Sequence, residues 1–188
     1  GGDELFLGYN IHQILFMCDL AAKLPKKMRT PIESILHFIK SSGDKDIWSE
    51  RDRAIDMFSS LGCQSRVYGL LRNVWDSSEL RQKIYGPRML DTCLVDSYEQ
   101  LEMLWPKQRS FVSASREFEW RQKMVNDLLW QEDRCSMANG LEVRVPFVDA
   151  KLKRYVDSLD RKEIMPFGRK KYLLKKVEKK LIIMQLMF

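Results

Sequence analysis

Two adjacent carboxylates, Asp3 and Glu4, follow two glycines in the stretch GGDELFLGYN, residues 1–10. Free chain termini usually fray, whereas this cluster is typical of a tight loop that delivers acids to a site. A second interpretation stays open: the two acids cap the helix that follows, because carboxylates are stabilised at a helix N-terminus. The cluster alone does not decide between them.

A second charged stretch is DLLWQEDRCSMANGLEVRVPFVD, residues 127–149. The end of a predicted helix carries Asp133 and Arg134, and Glu142 and Arg144 alternate along an extended segment. Side chains two positions apart point to the same face of an extended chain, so Glu142 and Arg144 can pair or orient a third group. A guanidinium suits a carboxylate or phosphate. A charged network that only fixes loop geometry remains the alternative.

Length and composition predict one globular domain with a real core, because the 188 residues are 45% hydrophobic. The four cysteines form no C-x-x-C pair, and neither histidine has a helical i,i+4 partner. This spacing argues against a Cys/His zinc site and predicts reduced, mostly buried thiols.

Because charges appear at once, no secretory leader is expected, and no uninterrupted apolar run comes near the roughly 18 residues that span a bilayer. A cytoplasmic protein without a membrane partner is therefore expected. Residues 1–150 carry 20 Lys and Arg against 22 Asp and Glu, a net of −2, and residues 151–188 carry 12 against 4, a net of +8. A solvated helix face is favoured there over a nucleic-acid surface.

Helical signals dominate and strand signals are scarce, LEVRVPF at 141–147 being a short alternating segment. Thr30 is predicted as an N-cap after a loop at 24–29, and Asp149 as a second N-cap. The longest helix is expected at 113–132, and a basic one at 169–181. One apolar stripe predicts a further helix: Leu90, Leu94, Tyr98, Leu101 and Trp105.

Together the charged stretches resemble two motifs of the asparagine synthetases. GGDELFLGY is similar to the loop S-G-E-G-x-D-E-L-F-G-G-Y, and residues 127–149 resemble D-x-L-x-K-x-D-R-x-S-M-A-x-x-L-E-x-R-x-P-F-L-D. KKYLLKKVEKKL is similar to the lysine-led helix that follows in the family. Order and spacing agree across nearly all of the chain.

The resemblance implies a mainly α-helical fragment of an α/β ATP-pyrophosphatase (adenine nucleotide α-hydrolase-like) synthetase domain. The expected organisation is an active-site loop (1–10), a helical part (11–112), the motif region (113–160) and a basic helix and tail (161–188). The family's S-G-G-x-D-S loop and final R-K-K-x-G-F are missing, which predicts truncation at both ends. Leu7 and Gln131 replace a glycine and a lysine of the pattern.

The implied activity is ATP-dependent: aspartate attacks ATP to give β-aspartyl-AMP and pyrophosphate, and ammonia displaces AMP. The resemblance assigns Asp3 to Mg²⁺ and the remaining residues to two groups. The catalytic group is Glu4, Glu142 and Arg144, and the nucleotide-binding group is Gly1, Gly2, Asp133 and Arg134.

Implied partners are aspartate and ATP, an upstream glutaminase domain, and the missing ATP-binding half of the synthetase domain. The isolated chain is therefore expected to be inactive and poorly soluble or oligomeric, and a homodimer stays open. Two alternatives remain. One is a related amidotransferase or β-lactam synthetase-like, carboxylate-adenylating enzyme, and the other is a non-catalytic helical interaction module.

Overall fold

The computed structural model of the protein describes residues 1–25, 27–31, 34, 50–74, 78–92 and 95–186. Within these ranges the regular structure is helical and no residue lies in a strand. The prediction of a mainly α-helical chain is therefore confirmed for the described residues, and the larger α/β fold stays a prediction.

The elements follow one another along the chain with short connections. The α-helices are α1 (Gly2–Leu5), α2 (Asn10–Ala22), α3 (Glu50–Ser59), α4 (Gln64–Leu71), α5 (Ser78–Ile84), α6 (Pro87–Leu90), α7 (Ser97–Leu104), α8 (Phe111–Phe118), α9 (Leu129–Met137), α10 (Ala150–Ser158), α11 (Arg161–Ile164) and α12 (Tyr172–Leu186). A π-helical segment, Glu119–Leu128, joins α8 to α9, and two 3₁₀ turns cover Pro146–Val148 and Pro166–Gly168.

Two compact units divide the chain: Gly1–Met17 with Pro106–Phe188, and Cys18–Trp105. In the first unit, α1 packs against the π-helical segment and the Pro146–Val148 turn. The core of this unit contains the fully buried side chains of Leu5, Leu7, Leu15, Val112, Met124, Val156, Ile164 and Met165.

In the second unit, α4 packs against α3 and α7. The rings of Tyr68 and Trp105 lie 5.0 Å apart, and the Tyr98 hydroxyl donates a 2.7 Å hydrogen bond to the Val74 carbonyl. Gly69 lets α7 approach α4, because a Cβ at Gly69 would lie 2.7 Å from the Tyr98 ring.

Local signals predict two features of the first unit correctly. Asp149 caps α10, since its Oδ1 accepts hydrogen bonds of 2.8 Å from the backbone N–H groups of Lys151 and Leu152. The long helical stretch exists, but it runs from Phe111 to Met137 and so exceeds its expected bounds. It can run on because no glycine or proline intervenes before Gly140, which has a φ of +68°.

Three expected boundaries are wrong. The chain is already helical at residues 27–31, because the backbone turns at Pro25, whose carbonyl accepts from Met28 N at 2.9 Å. Thr30 instead donates its hydroxyl to the Lys27 carbonyl from inside that helix. The basic helix begins only at Tyr172, because Lys171 has a φ of +53°, which no α-helix accommodates.

The apolar stripe from Leu90 to Trp105 is not one helix. Leu90 ends α6, and Asp96 caps a new helix by accepting a 2.7 Å hydrogen bond from Tyr98 N. Leu94 lies outside the described residues.

One described segment, residues 2–22, has the length and average composition of a membrane-spanning helix, although no uninterrupted apolar run reaches that length. In the structure the Leu5, Ile11 and Leu15 side chains of this segment are buried, whereas Ile14, Met17 and Leu20 are more than 40% exposed. The polar groups of Glu4 and His12 are buried beside them. Length and composition alone are weak grounds for a membrane assignment.

Candidate active site

Glu4 is the best-anchored residue of the first motif. Its side chain is fully buried, and its Oε1 accepts a 2.6 Å hydrogen bond from the Tyr9 hydroxyl. Lys123 Nζ lies 3.4 Å from the same oxygen, and the amino nitrogen of Gly1 lies 2.9 Å from Oε2.

These partners keep Glu4 ionised inside the protein. Burial raises its pKa, but hydrogen bonds, above all the one from Tyr9, outweigh burial and lower the pKa to about 2. Burial and the Glu4 carboxylate conversely raise the pKa of Tyr9, so its hydroxyl stays a donor. Lys123 also lies 4.5 Å from the centre of the Tyr9 ring. Glu4 therefore holds the loop of the first motif in place.

Asp3 lies beside Glu4 but faces outward. Its Oδ1 is 2.6 Å from Lys171 Nζ, and the two side chains are 36% and 42% exposed. Gly8 makes this pair possible, because a Cβ at Gly8 would lie 2.0 Å from Asp3 Oδ1 and 2.6 Å from Lys171 Cε. The loop therefore presents a carboxylate and an ammonium group together at the surface.

Backbone strain accompanies the Asp3–Lys171 pair. Leu7 and Lys171 have φ angles of +55° and +53°. Residues other than glycine, asparagine and aspartate rarely adopt this left-handed region. Leu7 occupies the position where the motif has glycine, so the structure preserves the backbone conformation that a glycine favours. Strain of this kind clusters at functional sites.

The second motif contacts the first through its apolar residues. The rings of Phe6 and Phe147 meet edge to face with centroids 6.0 Å apart. A Cβ at Gly1 would lie 2.7 Å from Val148 Cγ2, and one at Gly2 would lie 3.4 Å from the Phe147 ring. Gly1 thus allows the start of α1 to pack closely on the Pro146–Val148 turn, whereas a Cβ at Gly2 would make an ordinary contact, and the binding of a nucleotide by either glycine stays a prediction.

The charged residues of the second motif lie elsewhere on the surface of the first unit. Glu142 Oε1 and Arg144 Nη2 form an ion pair at 2.7 Å, which confirms that they can pair, with side chains 69% and 84% exposed. Asp133 and Arg134 are exposed on α9, and the Arg134 guanidinium lies 5.8 Å from the Trp130 ring centre. No hydrogen bond or ion pair among the described residues joins these four to Asp3 or Glu4. Their roles at the site stay predictions.

Reading the sequence missed four residues around Asp3 and Glu4. Tyr9 and Lys171 stand within the motifs, so their position was a usable signal. Lys123 and Glu119 lie outside the motifs. The Oε2 atom of Glu119 lies 3.0 Å from His12 Nε2, and both side chains are fully buried. That pair joins residues 107 positions apart, a separation for which no sequence pattern exists.

The Asp3–Lys171 pair at the surface can bind a phosphate-bearing ligand. A lysine ammonium binds phosphate as a point charge, and a single carboxylate can supply one oxygen ligand to a hard cation. Among the described residues, no group of three or more His, Cys, Asp or Glu side chains is arranged to hold a metal ion.

Comparison with known protein families identifies the family of the chain. A family model described as asparagine synthase matches residues 1–182, a range that includes both motifs and Lys171. No curated protein and no solved structure matches the chain. Because the match extends over nearly the whole sequence, the chain belongs to the asparagine synthase family.

Proposed function

We propose that this chain forms part of an ATP-dependent asparagine synthetase. In the proposed reaction a carboxylate oxygen of aspartate attacks the α-phosphorus of ATP, pyrophosphate leaves, and β-aspartyl-AMP forms. Ammonia derived from glutamine then attacks the activated carbonyl carbon and AMP leaves. The observation that carries the proposal is the exposed Asp3–Lys171 pair, held on the family's loop by Gly8 and the buried Glu4.

Each residue of the loop has a distinct role in this proposal. The Lys171 ammonium attracts phosphate oxygens of the nucleotide, and in doing so exchanges the Asp3 carboxylate for a ligand. Glu4, which the resemblance assigns to the catalytic group, is fully buried, so we propose that it instead positions α1 through Tyr9 and Lys123. Glu142, Arg144, Asp133 and Arg134 are proposed to line the aspartyl-adenylate site, with their exposed side chains available to a ligand.

The proposal includes Mg²⁺, for which Asp3 would supply one carboxylate ligand. Mg²⁺ in nucleotide sites commonly takes one or two carboxylates and completes its shell with phosphate oxygens and water. Asp3, half-exposed and next to a phosphate-binding lysine, would be the carboxylate ligand. When bound, the ion would neutralise charge on the phosphates.

The proposal includes the fold, the ammonia source and the location of the enzyme. The fold is the α/β ATP-pyrophosphatase fold, the glutaminase domain supplies the ammonia, and the location is cytoplasmic. A homodimer would be compatible with this proposal. The family match supports the amidating activity itself.

Nucleotide binding tests the proposal directly. ATP with MgCl₂ is titrated by isothermal calorimetry into a longer protein that supplies the ATP-binding half of the domain together with these 188 residues, using the wild type, Asp3→Asn and Lys171→Met. A charged hydrogen bond contributes about 1.5–3 kcal/mol, so Lys171→Met is expected to weaken ATP binding by roughly tenfold or more. Lys179→Met, an exposed lysine of α12, is the matched control and is expected to bind normally.

Equal ATP affinity of Lys171→Met and the wild type would contradict the assignment. A second assay follows pyrophosphate release with ATP and aspartate. The isolated chain is expected to release none. Release that Asp3→Asn abolishes would refute that expectation while supporting the synthetase function, and product analysis with other carboxylic acids would separate the related adenylating enzymes.

A further inference from the structure

The segment 141–145, between α9 and α10, lies at the surface of the first unit. Its three apolar side chains are between 41% and 63% exposed, namely those of Leu141, Val143 and Val145. Glu142 and Arg144 alternate with them, and their ion pair shows that side chains two positions apart share a face, as in an extended chain. An apolar face and a charged face of this segment are therefore both open to solvent.

One edge of the segment's backbone is occupied by the chain itself. In an extended chain the N–H and C=O groups of successive residues point to opposite edges. Leu141 N donates to the Ser136 carbonyl at 3.0 Å. The Val145 carbonyl accepts from Val148 N, also at 3.0 Å. Because Leu141 and Val145 lie at the two ends of the same edge, this edge is closed to a second strand.

The opposite edge is open. It carries the backbone N–H and C=O groups of Glu142 and Arg144, for which no hydrogen-bond partner occurs among the described residues. Pro146 follows on the same edge and has no N–H, so it ends any ladder of hydrogen bonds there. Unpaired backbone groups beside an exposed apolar face form a template for pairing with another strand.

We propose that two copies of this chain pair through the segment 141–145 as antiparallel strands related by a two-fold axis. Val143 lies opposite its equivalent in the second copy, and each Glu142 lies opposite an Arg144. The backbone groups of Glu142 and Arg144 then exchange N–H···O=C hydrogen bonds across the axis. Leu141 lies opposite Val145, so the apolar side chains of both copies form one continuous face.

The order of charges selects this register. A slip of two positions would place Glu142 opposite its own equivalent or Arg144 opposite its own equivalent, and like charges directly opposite each other destabilise a strand pair. A parallel pair in register would also align like charges. Each copy already pairs Glu142 with Arg144 internally, so the crossed pairs fix the register more than they add affinity.

Pairing of this kind closes at two copies. The occupied edge of each strand faces away from the axis, so a third copy finds no open edge to extend. The interface is short and lies in the size class of weak, reversible complexes. The inference goes beyond the proposed function, with one consequence for it: a substrate held by Glu142 and Arg144 would compete with the second copy for these side chains.

Sedimentation velocity tests the pairing on the unmodified 188-residue chain at concentrations from about 1 to 200 μM, where a weak interface changes from separated to associated copies. The wild type is expected to change from monomer to dimer over this range. Val143→Lys places two ammonium groups at the axis and is expected to weaken dimerisation by roughly tenfold or more. Val177→Lys is the matched control, because Val177 on α12 has the same exposed fraction, 48%, and should dimerise like the wild type.

A charge exchange tests the register. Glu142→Arg places guanidinium groups opposite each other, and Arg144→Glu places carboxylates opposite each other, so each variant alone is expected to dimerise roughly tenfold or more weakly. An equimolar mixture of the two variants is expected to regain dimerisation, because every facing pair is then of opposite charge. The double variant E142R/R144E should regain it for the same reason.

Any of four results would overturn the pairing. These are a wild type that stays monomeric throughout, a species that grows beyond the dimer, a Val143→Lys variant that dimerises like the wild type, and a mixture that associates no better than its separate components. The first two need no variant, and the substituted side chains are exposed, so circular dichroism is expected to show folded variants. ATP binding is measured separately, so failure here leaves the synthetase assignment unaffected.

Discussion

Replacing Tyr9 with phenylalanine removes one hydroxyl and tests whether the buried Glu4 anchors the first motif. The lost contact is the 2.6 Å hydrogen bond to an ionised carboxylate whose side chain is fully buried. Hydrogen bonds to charged groups contribute about 1.5–3 kcal/mol. The ring remains to pack beside Lys123, so we expect Tyr9→Phe to lower the free energy of unfolding by about 2 kcal/mol near neutral pH.

The effect must depend on pH in a definite direction. The pKa of Glu4 is lowered from 4.5 to about 2 on folding. Its ionisation therefore stabilises the protein above about pH 4.5, and this contribution is lost as the pH falls towards about 2, in total about 3 kcal/mol. A neutral carboxyl group accepts a weaker hydrogen bond from Tyr9. The difference in unfolding free energy between the wild type and Tyr9→Phe should therefore become smaller as the pH falls from about 4.5 to about 2.

Urea denaturation followed by circular dichroism at several pH values measures both effects. Tyr155→Phe is the matched control, since Tyr155 is 60% exposed on α10 and should change stability by less than about 0.5 kcal/mol. The reasoning fails if Tyr9→Phe is as stable as Tyr155→Phe, or if its deficit is the same at acidic and neutral pH.

Two further outcomes are expected. Gly8→Ala places a Cβ where Asp3 Oδ1 now lies, so it should cost about 1–3 kcal/mol of unfolding free energy through overpacking. Gly62→Ala, with no atom within 4 Å of the added Cβ, is the control, and equal urea midpoints for the two variants would contradict the close approach. Burial raises the pKa of Cys18 to about 11, so iodoacetamide at about pH 8 should label exposed Cys135 first. Equal labelling by mass spectrometry would show that Cys18 is accessible.

Features encoded within a few residues could be predicted from the sequence. Asp149 acts as an N-cap because the aspartate and the N–H groups that it accepts from are neighbours in the chain. The Glu142–Arg144 ion pair likewise follows from two-residue spacing on an extended segment. The expectation of mostly buried thiols is wrong for the described cysteines, because only Cys18 is buried, whereas Cys63 is half-buried and Cys135 is exposed on α9.

Features that depend on distant residues or on backbone strain could not be predicted. Threonine is a common N-cap residue, yet Thr30 lies inside a helix that already includes residues 27–31. The start of α12 is fixed by the positive φ of Lys171, which brings its side chain to Asp3. The resemblance assigns residues of both 1–10 and 127–149 to one active site, which stays a prediction. The two segments contact each other through Phe147 and Val148 rather than through their charges, because apolar packing joins the loops.

The π-helical segment Glu119–Leu128 has a consequence for how the chain length can vary. Its wider turn is seen where Leu129 N donates to the carbonyl of Met124, five residues earlier. Each hydrogen bond of this kind spans one residue more than an α-helical hydrogen bond does. A deletion of one residue here could therefore be absorbed by a return to α-helical winding, but it would rotate Glu119 relative to Lys123. Only one of the contacts to His12 and Glu4 would then survive, so insertions and deletions in relatives should avoid this segment.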